Sequence, residues 1–278
     1  MGGANRPAMD MQWHRWVAQA REAAQEAGEE IARWIGRGVE VHYKGPSNPV
    51  TEVDLRCQKM IRDRLLGANP EHGFLGEEGD SCGLERDYVW IVDPLDGTKN
   101  FAHGYPLVAV SIGLQCRGRM VVGVVHDATR RETFSALRGG GAFLNGAPIK
   151  VSEQAALEDA LLVTGFGGGL EVEYDYFVAL DKACQGVRRD GSAALDLCAV
   201  ASGRLDGMFQ INLSPWDVAA GSLLVEEAGG MLTDYQGRPF RVDGRQVVAS
   251  NVKLHRAMLD VLASRGDEVE RLLAQRGV

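Results

Sequence analysis

Trp90-Ile91-Val92-Asp93-Pro94-Leu95-Asp96-Gly97-Thr98-Lys99-Asn100-Phe101 runs from an unbroken apolar stretch straight into two aspartates, then into Gly-Thr. An apolar run that ends in acids predicts a buried strand delivering carboxylates at its tip. Pro94 fixes its own φ and has no N–H to donate, so both acids can be held rigidly. Hard oxygen ligands at a fixed separation suit Mg²⁺, which completes its shell with water and phosphate. The N–H groups of Gly97 and Thr98, at what reads as a helix start, are placed to meet a phosphate oxygen. Asp, Pro and Gly are also ordinary turn formers, so on these residues alone a metal site and a polar turn both stand.

Outward from this stretch, short apolar runs divided by glycines predict further strands at 107–115, 120–125 and 132–137. The Arg117-Gly118-Arg119 break is short enough for a hairpin, so part of the sheet is expected to be antiparallel. Upstream, Trp13, Val17, Ala20, Ala24, Ala27, Ile31 and Ile35 recur at three- and four-residue steps, the mark of an amphipathic helix ending near Gly36 to Gly38. A second helix is expected over 53–66. Beyond Gly139-Gly140-Gly141 the chain alternates helix-like segments (171–183, 193–202, 215–228, 254–274) with strand-like ones (160–163, 207–210, 246–250). This order predicts an α+β fold of stacked layers, with a soft boundary between an N-terminal part, 1–150, and a closely packed C-terminal part, 151–278.

The chain has 278 residues, 45% of them hydrophobic, enough for a large core. The net charge of -8 leaves no basic face for a nucleic-acid backbone. It also opposes binding of an anionic small molecule unless cations reverse the local field. Cys57, Cys82, Cys116, Cys184 and Cys198 are scattered singly, without zinc-ligand spacing, and read as reduced thiols. Neither a signal peptide nor a spanning stretch is visible, so a cytoplasmic address without membrane contact is expected.

Three further acidic segments are ambiguous one by one. Glu77-Glu78 between glycines reads as a solvated loop, while Thr51-Glu52-Val53-Asp54 and Ser214-Pro215-Trp216-Asp217 read as helix caps. Taken in order with Asp93 to Phe101, Gly191-Ser192-Ala193-Ala194 and Pro215 to Gly221, they resemble the inositol monophosphatase family over about residues 44–230. The resemblance implies the sugar-phosphatase layering, α/β/α/β/α with mixed sheets. It implies that Glu77, Asp93 and the Leu95 carbonyl hold one Mg²⁺, that Asp93, Asp96 and Asp217 hold a second, and that a weaker third ion sits near Glu77.

By the same resemblance Thr98 and Glu77 orient the attacking water and Asp54 positions Thr98. Gly97, Thr98, Gly191, Ser192, Ala193, Gln210 and Asp217 would contact the substrate. The substrate is expected to be a small phosphorylated polyol or sugar, foremost inositol 1-phosphate, cleaved by water without a protein nucleophile. Lithium sensitivity and a homodimer are also implied. Gln210 departs from the glutamate of inositol-specific members: an amide accepts a hydrogen bond but carries no charge and also donates. Related enzymes acting on fructose 1,6-bisphosphate, nucleotide 3'-phosphates or histidinol phosphate share the same carboxylates. A member that binds RNA or protein as a regulator is the alternative from another class.

Overall fold

The computed structural model describes residues 6–38, 41–45, 48–166 and 171–263. Helix α1 (Arg6–Trp34) buries Trp16, Ala20, Ala23, Ala24, Ala27 and Ile31 along one stripe. A small antiparallel pair, β1 (Val41–Gly45) with β2 (Asn48–Thr51), leads into α2 (Glu52–Ala68). The larger sheet follows: β3 (Gly73–Gly76), β4 (Tyr88–Asp96), β5 (Ala109–Cys116), β6 (Arg119–Asp127), β7 (Glu132–Leu137), β8 (Gly141–Leu144) and β9 (Ala147–Pro148), with α3 (Thr98–Ala102) between β4 and β5. Its strands lie in sequence order, β3 parallel to β4 and every other pair antiparallel. Arg117 and Gly118, both at positive φ, turn the β5–β6 hairpin expected from the sequence.

The second sheet comprises β10 (Leu161–Val163), β11 (Gly186–Arg188), β12 (Gly207–Ile211), β13 (Gly230–Thr233) and β14 (Gln246–Asn251), in the order β11-β10-β12-β14-β13. Strand β10 runs parallel to β11 and β12, while β14 is antiparallel to β12 and β13. The helices interleaved with it are α4 (Glu171–Asp181), α5 (Ala193–Ala201), α6 (Pro215–Glu227) and α7 (Val252–Leu262).

Three apolar clusters show how these elements stack. Trp90, Val92, Val110 and Ile112, on one face of the larger sheet, pack with α1 and α2. Val89, Ile91, Ala109 and Phe134, on its other face, pack with α5, α6 and residues Val163, Met208 and Val247 of the second sheet. The far face of that sheet, through Leu162, Phe209 and Val248, meets α4 and α7. The result is the expected α/β/α/β/α layering, with strand alternation sending neighbouring residues into different cores.

Helix α6 is buried all round from Val218 to Val225, as a helix between two sheets must be. It lies directly on the sheet backbone: a Cβ on Gly123 would stand 2.5 Å from the Ala220 carbonyl oxygen, and one on Gly113 3.0 Å from the Ala219 Cβ. Only glycine permits that approach, and it sets the start of α6 over the end of β4.

Several expectations shift. The stripe on α1 buries Trp16, with Trp13 only partly covered at the edge of the same core. Strands β1, β2, β3, β8, β9, β11 and β13 span two to five residues each, too few to show a hydrophobic period. Helix α7 ends at Leu262, and 264–274 of the helix expected there lie outside the described residues.

Candidate functional site

Alternation along β4 places Asp93 on the same face as Val89 and Ile91, toward the layer that contains α6. Its cross-strand neighbour is Ser111, whose hydroxyl donates to the Trp216 carbonyl at 3.2 Å. Asp217, in the first turn of α6, therefore lies close to Asp93. Between Asp93 and Asp96 the register slips by one residue, the bulge that Pro94 favours by withholding an N–H from the ladder. The Asp93 carboxylate caps this bulge by accepting from Leu95 N at 3.0 Å.

Gly97 follows at φ 93 as the N-cap of α3, with Leu107 O only 2.7 Å from where a Cβ would be. The Thr98 hydroxyl lies 3.2 Å from Asp54 Oδ1 and 3.1 Å from the Leu95 carbonyl oxygen. Asp54 is also the far half of a capping box, its Oδ2 accepting from Thr51 N at 2.8 Å. Asp217 serves likewise, accepting from Ser214 N at 2.7 Å. Glu77 follows β3, its N–H held by Val92 O at 3.2 Å. The next turn is fixed by Gln58, which accepts from Glu78 N at 2.8 Å and donates to Gly79 O at 3.0 Å.

Asp96 meets several donors. Its Oδ2 accepts from the Ser192 hydroxyl at 2.6 Å and from Ala194 N at 2.8 Å, and the carboxylate also draws the N–H groups of Ala193 and Gly97. A buried anion takes the nearest donors, here those at the start of α5. The Gly97 N–H, expected to meet a phosphate oxygen, and the Ala193 N–H both reach Asp96. Ser192 does cap α5, accepting from Leu195 N at 3.4 Å. Gly191 precedes it at φ 83, and Asn100 ties this loop to β5 by donating to Asp190 O and Leu107 O, both at 2.8 Å.

The acids oppose one another's ionisation. Burial lifts the Asp93 carboxyl well above the usual carboxylate range, and Glu77, Asp96 and Asp217 push it further. Burial, then Asp96, raises Asp217 to about 8, although the Ser214 N–H pulls it back. Asp96 is raised by burial against its hydrogen bonds. Asp54 is raised by burial too, against its bonds to Thr51. Four carboxylates from three separate segments that resist one another's charge form a donor set suited to divalent cations.

Among the described residues, however, no three acidic, histidine or cysteine side chains converge to cage an ion by themselves. Asp93, Asp96 and Asp217, expected to share one, each also accept from a nearby backbone N–H, of Leu95, Ala194 and Ser214 respectively. Such a set fits an ion that takes only part of its shell from carboxylates and the rest from carbonyl, water and phosphate oxygens, as Mg²⁺ does.

Glu77, Asp96, Thr98 and Asp217 open on one cavity of about 360 Å³, with Asp93 buried behind them. Gly97, Gly191, Ser192, Ala193 and Gln210, all expected at the substrate, line the same cavity. Gln210 is 8% exposed and its Oε1 has no hydrogen-bond partner among the described residues, so it can accept from a ligand hydroxyl. A larger cleft of about 810 Å³ beside Met120 and Phe240 lacks this chemistry. Its acids Glu226 and Asp243 are already paired, with Arg138 at 2.7 Å and Arg241 at 2.9 Å.

Sequence reasoning missed Gln58, Asn212 and Arg245. Gln58 carried no signal beyond an amide in a helix, and the other two are brought to the cavity by the pairing of β12 with β14.

The sequence matches the inositol monophosphatase family over residues 12–269. An inositol-1-monophosphatase of Synechocystis is 40% identical over 267 residues, covering 94% of this chain and 93% of the relative. A Nus factor SuhB of Pseudomonas aeruginosa is 43% identical over 254 residues, covering 87% and 94%. Among solved structures, inositol monophosphatase from Anabaena superposes with a TM-score of 0.83 at 38% identity, covering 90% of this chain and 96% of that one. The suhB extragenic suppressor protein of Bartonella henselae gives 0.83 at 39% identity, covering 87% and 95%.

Proposed function

The chain belongs to the inositol monophosphatase family and is a phosphoric monoester hydrolase, and from this premise we propose that it cleaves a small phosphorylated polyol or sugar with the help of two to three Mg²⁺ ions. The observation that carries this reading is the set of carboxylates that raise one another's pKa beside one cavity. Glu77, Asp93 and the Leu95 carbonyl would hold one ion, and Asp93, Asp96 and Asp217 a second, with a third near Glu77. Bound magnesium supplies positive charge to the phosphate and makes water a better nucleophile at neutral pH.

The chain's own residues then position the reactants. Thr98 has a single proton to give, to Asp54 or to the Leu95 carbonyl, so its lone pairs remain able to accept from a water. Thr98 and Glu77 together orient that water toward phosphorus, and Asp54 keeps the Thr98 hydroxyl from turning. Ser192 and Ala193 contact the alcohol beside the phosphate, and Gln210 accepts from one of its hydroxyls. Inhibition by lithium and a homodimer belong to the same proposal. The test is phosphate release from inositol 1-phosphate, fructose 1,6-bisphosphate, histidinol phosphate and a nucleotide 3'-phosphate, with Mg²⁺ and after chelation. Turnover that survives chelation would remove the metal assignment, and turnover of the nucleotide alone would remove the polyol.

The relatives named Nus factor SuhB favour a second reading, a regulatory binding role beside catalysis. The net charge of -8 directs that reading to a protein partner and away from bare RNA. An RNA gel shift at physiological salt should show no complex.

A further inference from the structure

Opposite in sign to the carboxylates, Lys99, Arg189 and Arg245 line the same cavity, and among the described residues none of them forms an ion pair with a carboxylate. Two of the three are held in place. The Arg189 guanidinium stacks 4.7 Å above the centre of the Phe166 ring, which also lines the cavity. Arg245 donates through Nη2 to the Asn212 side chain, while its Nε is enclosed without a partner among the described residues.

Asn212 and Arg245 each sit at φ 60, in the left-handed region that residues with a Cβ rarely adopt. Leu213 N donates to Arg245 O at 3.1 Å, so the two strained residues are locked together at the end of the β12–β14 pair. Such a conformation persists where the surrounding structure over-determines it. Beside them Gln210 is neutral and keeps an unpartnered acceptor. A Cβ on Gly165 would lie 2.7 Å from the Gln210 amide, so only glycine leaves the amide its place.

A neutral polyol would leave these guanidinium groups facing hydroxyls, whereas their planar forks match the oxygens of a phosphate or carboxylate. Resting on the phosphatase reading above, we propose that the preferred substrate bears a second anionic group besides the phosphate that is removed. Arg189 and Arg245 bind that group, and Gln210 accepts a hydroxyl between the two ends. Lys99, exposed at the start of α3, adds field without a fixed contact.

The experiment compares kcat/KM with Mg²⁺ on singly anionic probes, inositol 1-phosphate and glycerol 2-phosphate, with that on fructose 1,6-bisphosphate and 3-phosphoglycerate. The last two separate a second phosphate from a carboxylate. The full chain should favour one of the doubly anionic probes by about 10-fold or more, and Arg189→Gln and Arg245→Gln should each lower that value about 10-fold, chiefly through KM. Their effect on the singly anionic probes should stay within about 2-fold, and Arg245→Lys should recover part of the loss.

Equal or better turnover of the singly anionic probes by the unaltered chain would overturn the inference while leaving the phosphatase reading intact. So would arginine variants that depress both classes alike. Should Arg245→Gln fail to fold, Arg189→Gln, exposed at the rim, decides the outcome. No phosphate released from any probe would instead defeat the phosphatase reading, and this inference with it.

Discussion

The Thr98 hydroxyl stands 3.2 Å from Asp54 Oδ1, joining residues 44 positions apart in the chain. The same carboxylate holds the Thr51 N–H that starts α2, so one side chain both caps a helix and aims a hydroxyl into the cavity. Thr98→Ala should lower kcat about 100-fold with little change in KM, because the hydroxyl acts on the water and not on the bound alcohol. Thr98→Ser, which keeps the oxygen, should recover most of the rate. Equal losses in the two variants, measured by steady-state phosphate release, would show that the threonine methyl matters and the hydroxyl does not.

Asp93 is 2% exposed and faces the charges of Glu77, Asp96 and Asp217. Asp93→Asn removes a repelled, buried acid while keeping its shape and an oxygen for the Leu95 N–H. Turnover should fall by about 1,000-fold or more. In chelator the variant should melt no lower than the unaltered chain, and it should gain less from added Mg²⁺ in a thermal shift. Magnesium-dependent turnover near the original rate would end the proposed ligand role of this residue.

Local chemistry was readable in the sequence, and spatial convergence was not. Asp93 and Asp96 announce themselves because a strand, a proline and two acids are neighbours in the chain. Asp54 and Asp217 look like helix caps, and they are helix caps. Their proposed second role depends on β3, β4 and α6 meeting, which only the resemblance supplied in advance. The long helices and the β5–β6 hairpin followed from periodicity and one glycine turn, whereas β11 and β13, three and four residues long, left no pattern to read. Arg245 and Asn212 were hidden for another reason. Left-handed backbone at an arginine has no composition signal, an asparagine hints at it only weakly, and the pairing of the two exists only in the antiparallel register of β12 and β14.

Gly123 tests how tightly the central helix is laid on the sheet. A methyl group there would meet the backbone of Ala220 at 2.5 Å, and a helix carbonyl cannot swing aside as a flexible side chain can. Gly123→Ala should cost about 2–3 kcal/mol, a drop of about 6 °C or more in melting temperature. It should also lower turnover, since Asp217 lies in the first turn of α6. Gly67→Ala, on α2 with nothing within 4 Å of the new Cβ, should be neutral or slightly stabilising. Matching losses in the two variants would contradict the close approach of α6.

His255 on α7 supplies a pH dependence away from the carboxylates. The ring is 2% exposed and bridges two hydroxyls, Ser250 Oγ at 3.0 Å from Nδ1 and Thr233 Oγ1 at 2.9 Å from Nε2. Burial pushes its pKa down to about 4, from about 6.5 in the open chain. Between those values the unfolded chain binds the proton that the folded one refuses, so this residue's contribution is complete above pH 6.5 and is lost as the pH falls toward 4. His255→Gln keeps a donor and an acceptor but cannot titrate. Relative to that variant, the unaltered chain should lose about 2 kcal/mol, or about 5 °C in melting temperature, between pH 7 and pH 4.5. Taking the difference between the two proteins cancels the titration of the active-site acids, whose raised pKa values act in the opposite direction. Parallel melting curves across this range would mean that the ring accepts its proton in the folded state as readily as in water.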